Sequence, residues 1–150
     1  MELISTHFCK YANVGYHGNL FGGTMLGWLD EAGAIFACEA CDTPRMVTKK
    51  ISEVVFNKPV RPGQIIKIYG EVLGVGHRSI IIRLEARRHS VYNGSQKTVL
   101  TTDMTFVRID GDGEAIPISE KVKEKYGKAK PDIQLSEKDD EKLYEVFGGD

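Results

Sequence analysis

The stretch Gly22–Cys41 constrains the fold of this chain more than any other. Met25, Leu29, Ala32 and Phe36 recur at i+3 and i+4 spacing, with Trp28 and Ile35 beside them, so the pattern predicts a helix of about 20 residues. Asp42-Thr43-Pro44 ends it, because proline cannot continue a helix and disfavours the α region in the residue before it. The segment is longer than an average helix and apolar around most of its circumference, so it is expected to be buried rather than laid on a surface.

Beyond Pro44 the chain carries strand signals only, as far as residue 109. Residues 45–55 are moderately β-prone, and Asn57-Lys58-Pro59-Val60-Arg61-Pro62-Gly63 is a turn. Residues 64–75 are rich in Ile, Val and Tyr, and Gly74-Val75-Gly76-His77 turns the chain. Residues 79–91 alternate, Ile80, Ile82, Leu84 and Ala86 against Ile81, Arg83, Glu85 and Arg87. Tyr92-Asn93-Gly94-Ser95 holds the Asn-Gly signal of a tight hairpin. Residues 97–109 form the last long strand, with Leu100, Met104 and Phe106 on one face. With a first strand at 1–9, the order is strand, long buried helix, then four strands in antiparallel succession. The expected class is α+β, one helix wrapped by a curved antiparallel sheet. The domain is expected to span 1–118. The charged tail, 119–150, reads as surface or disordered material, with a weak amphipathic helix at 136–147 that Ser136 can cap.

Charge and composition narrow the function classes. At 150 residues and a net charge of −1, there is no global electrostatic case for nucleic acid or an anionic membrane. No apolar run reaches the roughly 18 residues of a spanning helix, and the N-terminus lacks the basic start and apolar core of a secretory signal. Cys38 and Cys41 have CxxC spacing but close a helix, whereas a redox pair opens one, where the dipole lowers a thiol pKa. With Cys9 they read as packing cysteines of a reducing cytoplasm. Asp110-Gly111-Asp112-Gly113-Glu114 lacks the ligand spacing of a calcium loop and reads as an exposed turn.

Three features carry candidate chemistry. Gly23, Gly27, Asp30, Ala34 and Ala37 share one helix face, with Gly33 alongside. Asp30 on this small-residue stripe is either a buried carboxylate, in need of a partner or a raised pKa, or an exposed acid beside Glu31. Gly22 and Gly23 at the helix entrance leave backbone N–H groups unpaired, a suitable cradle for an oxyanion, though a flexible hinge explains them equally well. Arg78, Arg83, Arg87 and Arg88 lie on or beside one strand, with Lys58 and Arg61 in the neighbouring turn; they serve phosphate contact or ordinary solvation.

The run from Asn13 to Ala34, with His17-Gly18-Asn19 two residues before Phe21-Gly22-Gly23 and Asp30 followed by Glu31-Ala32-Gly33-Ala34, resembles the signature of hot-dog acyl-CoA thioesterases of the YciA and cytosolic (brain-type) acyl-CoA hydrolase group. Val47-Thr48, the run Phe56 to Gln64, Val75-Gly76-His77-Arg78-Ser79 and Val107-Arg108-Ile109-Asp110 resemble that family too, over roughly residues 3–118. The resemblance implies hydrolysis of acyl-CoA to free CoA and a carboxylic acid, without metal or redox cofactor. It implies a homodimer with a continuous sheet and antiparallel helices, often a trimer of dimers, with sites at the subunit interface. Asp30 takes the place of the general base or nucleophile, and the amides of Gly22 and Gly23 that of the oxyanion site. An Asn of the preceding loop, supplied by the partner subunit, is expected at Asn13, with Asn19 as the alternative. CoA contacts are expected from Asn19, Lys58, Arg61, Gly76, His77, Arg78, Ser79 and Arg87. Two rivals remain open: a hydratase, which needs a helix histidine absent between Phe21 and Val75, and a non-catalytic acyl-CoA-binding or sensor protein.

Overall fold

The computed structural model describes residues 1–127. The elements run β1 (Glu2–Phe8), a 3-10 turn (Tyr11–Asn13), α1 (Gly22–Cys41), β2 (Met46–Ile51), β3 (Ile65–Val75), β4 (Ser79–His89), β5 (Gln96–Arg108) and α2 (Glu120–Tyr126). The expected helix at 136–147 lies outside the described residues.

The strands form one antiparallel sheet in the order β1-β3-β4-β5-β2, and α1 lies against all five. This is the α+β arrangement expected from the pattern. Ile80, Ile82, Leu84 and Ala86 of β4 are fully buried towards the helix, as are Leu100, Met104 and Phe106 of β5. From the helix, Met25, Leu29, Ala32 and Ala37 complete this core. At Gly33 the helix comes closest to the sheet: a Cβ there would stand 3.1 Å from Met104 Sδ and from Phe106 Cζ. Asp42 ends α1 in the left-handed region (φ 54°), its N–H donating to the Cys38 and Glu39 carbonyls. A short polar side chain tolerates that conformation.

Several expectations change. β2 does not neighbour β3; it pairs with β5 at the far edge of the sheet. The connection from Ile51 to Ile65 is too long for a hairpin and crosses over the sheet end. Beyond Ile51 the chain leaves regular pairing but still runs beside β5, with Ser52 N–H donating to Asp103 O (2.9 Å) and Asn57 N–H to Val99 O (2.9 Å). The β4–β5 connection is the six-residue segment 90–95, closed by Ser90 N–H to Ser95 O (2.9 Å), with Gly94 at φ 72°. The folded unit also continues past 118. Ser119 caps α2 by accepting from Val122 N–H, and Val122 is 1% exposed against the core.

The helix is half buried, not buried all round. Gly23, Gly27, Asp30, Glu31 and Ile35 are exposed and Ala34 is half-buried, so most of the small-residue stripe faces outward in the single chain. Periodicity identifies residues that share a face; here that face points away from the sheet.

Candidate active site

The approach to α1 is a small hairpin. Val14 bridges Leu20, Gly15 N–H donates to Asn19 O (2.9 Å), and Phe21 N–H donates to Asn13 O (2.8 Å). Residues 15–19 therefore form an excursion whose closed base holds Asn13 directly against the start of the helix. The Asn13 side chain accepts from Lys10 N–H (2.9 Å), which fixes the 3-10 turn. Asn19 stands on the return strand, its N–H donating to His17 Nδ1 (3.1 Å).

Phe21 is the residue before the first helical turn and offers no side-chain cap. Thr24 and Met25 donate to its carbonyl (3.0 and 3.2 Å), which leaves the amides of Gly22 and Gly23 with no main-chain acceptor among the described residues. The helix dipole adds partial positive charge there, and no acid in the first turn offsets it. A cavity of about 370 Å³ opens beside these amides, between Gly22, Met25, the 56–60 segment and Val99, with His17 and Asn19 at its rim.

Asp30 lies eight residues further along α1. It is exposed, which settles the alternative left open by spacing, and it does not lie in a buried pocket of this chain. Thr48 Oγ1–H of β2 donates to its Oδ1 at 2.7 Å. That bond ties the carboxylate to the edge strand through one of its two oxygens. Nothing local marks Thr48, which is 18 residues from its partner; only the resemblance at Val47-Thr48 touches it.

The basic residues separate into three places. Lys58 lines the cavity mouth, and Arg61 is exposed just beyond, its N–H donating to Gln64 Oε1 (2.8 Å). Arg87 is on the opposite face of the sheet, where it donates to Glu85 (3.2 Å) and lies 4.1 Å over the Tyr69 ring. Glu85 loses affinity for its proton there: burial favours the neutral acid, but the Arg87 and Thr98 hydrogen bonds and the Arg87 charge outweigh it. Arg87 thus points from the face of the sheet that α1 does not cover in this chain. Gly76, His77, Arg78 and Ser79 form the β3–β4 turn, closed by Gly76 N–H to Ser79 O (2.8 Å). This turn borders a cleft of about 440 Å³ with Lys123 and Gly127.

Distance decides what one chain can do alone. Eight helical residues put Asp30 roughly 12 Å along the axis from Gly22. The 76–79 turn sits where Ser79 pairs with Val107, whereas the helix start sits beside Val99, so about eight strand residues, roughly 26 Å, separate them. The oxyanion cradle, the carboxylate and the basic turn do not meet within one subunit.

The cysteines are not poised for reaction. Burial pushes the Cys41 thiol up to about 11, helped by nearby Cys38, and burial also raises Cys9. The 110–114 segment is a turn in which Asp110 Oδ1 accepts from the amides of Asp112 (2.8 Å) and Glu114 (3.0 Å). No helix among the described residues is long and apolar enough to cross a membrane.

Comparison with known proteins points one way. The family model of the thioesterase superfamily matches residues 17–95. The uncharacterized acyl-CoA thioester hydrolase YkhA of Bacillus subtilis is 27% identical over 135 residues, 83% of this chain and 78% of its own. The acyl-CoA thioester hydrolase YciA of Salmonella typhimurium is 28% identical over 120 residues, 78% of this chain and 90% of its own. Among solved structures, a hexameric hotdog fold thioesterase of Campylobacter jejuni superposes with a TM-score of 0.76 at 34% identity, covering 85% of this chain and 97% of that one.

Proposed function

This chain belongs to the thioesterase superfamily, and from that premise we propose that it hydrolyses acyl-CoA to free coenzyme A and a carboxylic acid in a site shared by two subunits. The observation that carries the shared site is the separation on one chain: the free amides of Gly22 and Gly23 lie roughly 12 Å from Asp30 along the helix. A two-fold axis that sets two α1 helices antiparallel brings the partner's carboxylate to this chain's helix start, and the partner's 76–79 turn to the same end.

The exposed stripe supports such pairing. A Cβ at Gly27 would meet nothing within 4 Å, so no neighbour in this chain requires a glycine there. Mid-helix glycine costs about 1 kcal/mol relative to alanine. A second helix at close approach supplies the missing reason. The free edge of β2, beside Asp30, can extend the sheet into the partner. Two such subunits form a homodimer with a continuous sheet, and three dimers form the hexamer known for the Campylobacter jejuni structure.

In this reading the thioester carbonyl oxygen accepts hydrogen bonds from the amides of Gly22 and Gly23. Asp30 of the other subunit takes a proton from water as the water oxygen attacks the carbonyl carbon. The tetrahedral oxyanion collapses, the C–S bond breaks, and CoA leaves as thiolate, to be protonated from the carboxyl group just formed. Donors placed on a developing oxyanion lower a barrier by about 3–4 kcal/mol. A positioned base adds about 10²–10⁴-fold. Thr48 holds Asp30 in one orientation and Asn13 stands next to the cradle, within reach of water or carbonyl. Lys58 and Arg61 at the cavity mouth and the partner's turn suit the CoA phosphates. Water, carboxylate and amides complete the chemistry, so no metal or redox cofactor is invoked, and a cytoplasmic location is proposed as one that supplies acyl-CoA.

Release of free thiol from acyl-CoA tests this directly. Asp30→Asn, an isosteric change at an exposed position, is expected to lower kcat by about 10²-fold or more with an unchanged melting temperature. A wild-type rate in this variant would remove Asp30 from the mechanism.

A further inference from the structure

We propose that the cavity under the first turn of α1 is the acyl-chain pocket, and that Met25 and Val99 at its floor limit the length of chain the enzyme accepts. This rests on the thioesterase function above. Met25 is 1% exposed and Val99 fully buried, and Leu20 and Val60 complete an apolar floor. The polar side chains of the lining are Asn57 and Lys58, both exposed, with His17 and Asn19 at the rim. Gly22 lines the same cavity, with the Phe56 ring 3.5 Å from where its Cβ would be.

That gradient orients the substrate. An acyl-CoA is apolar on one side of its thioester and carries amides and phosphates on the other. With the carbonyl on the Gly22 amide, the polar mouth suits the CoA side and the floor suits only the alkyl chain. The reverse orientation buries amides among Leu20, Met25, Val60 and Val99 with no hydrogen-bond partner, an arrangement proteins avoid.

Volume then sets a limit. A methylene occupies about the space of a water molecule, roughly 30 Å³. On this chain alone the cavity of about 370 Å³ has room for about twelve carbons, and the polar mouth takes part of that room. Acyl groups of roughly eight to ten carbons fill the apolar part. Each methylene buried before the floor is reached raises kcat/KM by at most about fourfold, and those beyond it gain nothing.

The test is thiol release by the wild-type enzyme on saturated acyl-CoAs from four to sixteen carbons. The expected profile climbs to a maximum near eight to ten carbons and falls by about tenfold or more at sixteen. Met25→Ala deepens the floor and is expected to move the maximum to longer chains; Val99→Leu raises the floor and moves it to shorter ones. A melting curve for each variant separates a shifted profile from a damaged fold, and should Met25→Ala unfold, the wild-type series and Val99→Leu still decide. A wild-type profile that is flat or rising through sixteen carbons overturns the pocket assignment but leaves the function standing. So does an equal change in KM at every chain length in the variants, which would place the pantetheine arm on the floor. No thiol release from any acyl-CoA removes the function itself, and the pocket with it.

Discussion

Gly33 and Gly27 are about 1.7 turns apart on the same helix, and their surroundings in this chain are opposite. At Gly33 the sheet leaves no room: Met104 and Phe106 both stand 3.1 Å from a Cβ placed there. At Gly27 there is nothing within 4 Å. The buried face of α1 is explained entirely by this chain, through contact with Met104, Phe106 and the rest of the core. The open face, with Gly23, Gly27, Asp30 and Ala34, lacks such packing in this chain, and the proposed function assigns it to a second subunit. On the proposed function, the helix carries its folding information on one side and its assembly and chemistry on the other.

The largest effect should come from filling the open face. Gly27→Trp adds bulk where the single chain has space and a second helix does not. The expected result is a monomeric mass in sedimentation and a loss of thioesterase activity of about 10²-fold or more, because cradle and carboxylate no longer meet. The circular dichroism spectrum should stay that of the folded chain. A fully active, still oligomeric variant would show that nothing approaches this face. On the buried face, Gly33→Val should act on stability instead. Overpacking a well-filled core costs about 1–3 kcal/mol, read as a lower midpoint in urea. If Gly33→Val and Gly27→Trp gave the same phenotype, the contrast between the two faces would fail.

A smaller effect belongs to Thr48, which links the open face to the edge of the sheet. Thr48→Val keeps the shape and removes the hydroxyl that donates to Asp30. A hydrogen bond to a charged group contributes about 1.5–3 kcal/mol when buried and less when exposed, so a fall in kcat of roughly tenfold is expected. KM should change little, because in the proposed mechanism the hydroxyl orients Asp30 and does not touch substrate. Rescue by Thr48→Ser, which restores the donor, distinguishes positioning from packing.

The contrast also marks how far local sequence patterns reach. The bounds of α1 and the buried alternation of β4 are legible because both follow from local spacing, 3.6 and 2. The outward turn of the stripe is not, since periodicity groups Gly27 with Asp30 without saying which way they face. Succession along the chain puts β2 beside β3, whereas its true neighbour is set by long-range pairing with β5. Arg87 and Arg88 are adjacent in sequence, yet the pleat sends them to opposite faces: Arg87 over Tyr69, Arg88 to the Pro59 carbonyl. Thr48 reaches Asp30 only once β2 is in place. The motifs locate the helix start and the acid; the geometry that separates them on one chain requires the fold.

The smallest effect lies at the border between the two faces, where the half-buried Trp28 stacks on His7 of β1, with ring centroids 4.5 Å apart and planes within 9°. Burial holds the His7 pKa below its ordinary value, against the opposing charge of Glu31. A depressed folded value means that, as pH falls, the unfolded chain takes up the proton first. The stabilisation from neutral His7 is therefore fully present above the ordinary histidine range, about 6.5, and is lost as pH falls through the folded value. His7→Phe keeps an aromatic ring on Trp28 but carries no proton. Its melting temperature relative to wild type should be constant above pH of about 7 and rise progressively below about 6. A difference independent of pH would mean that the stack responds to packing alone, and that the border, like the buried face, is governed by shape rather than charge.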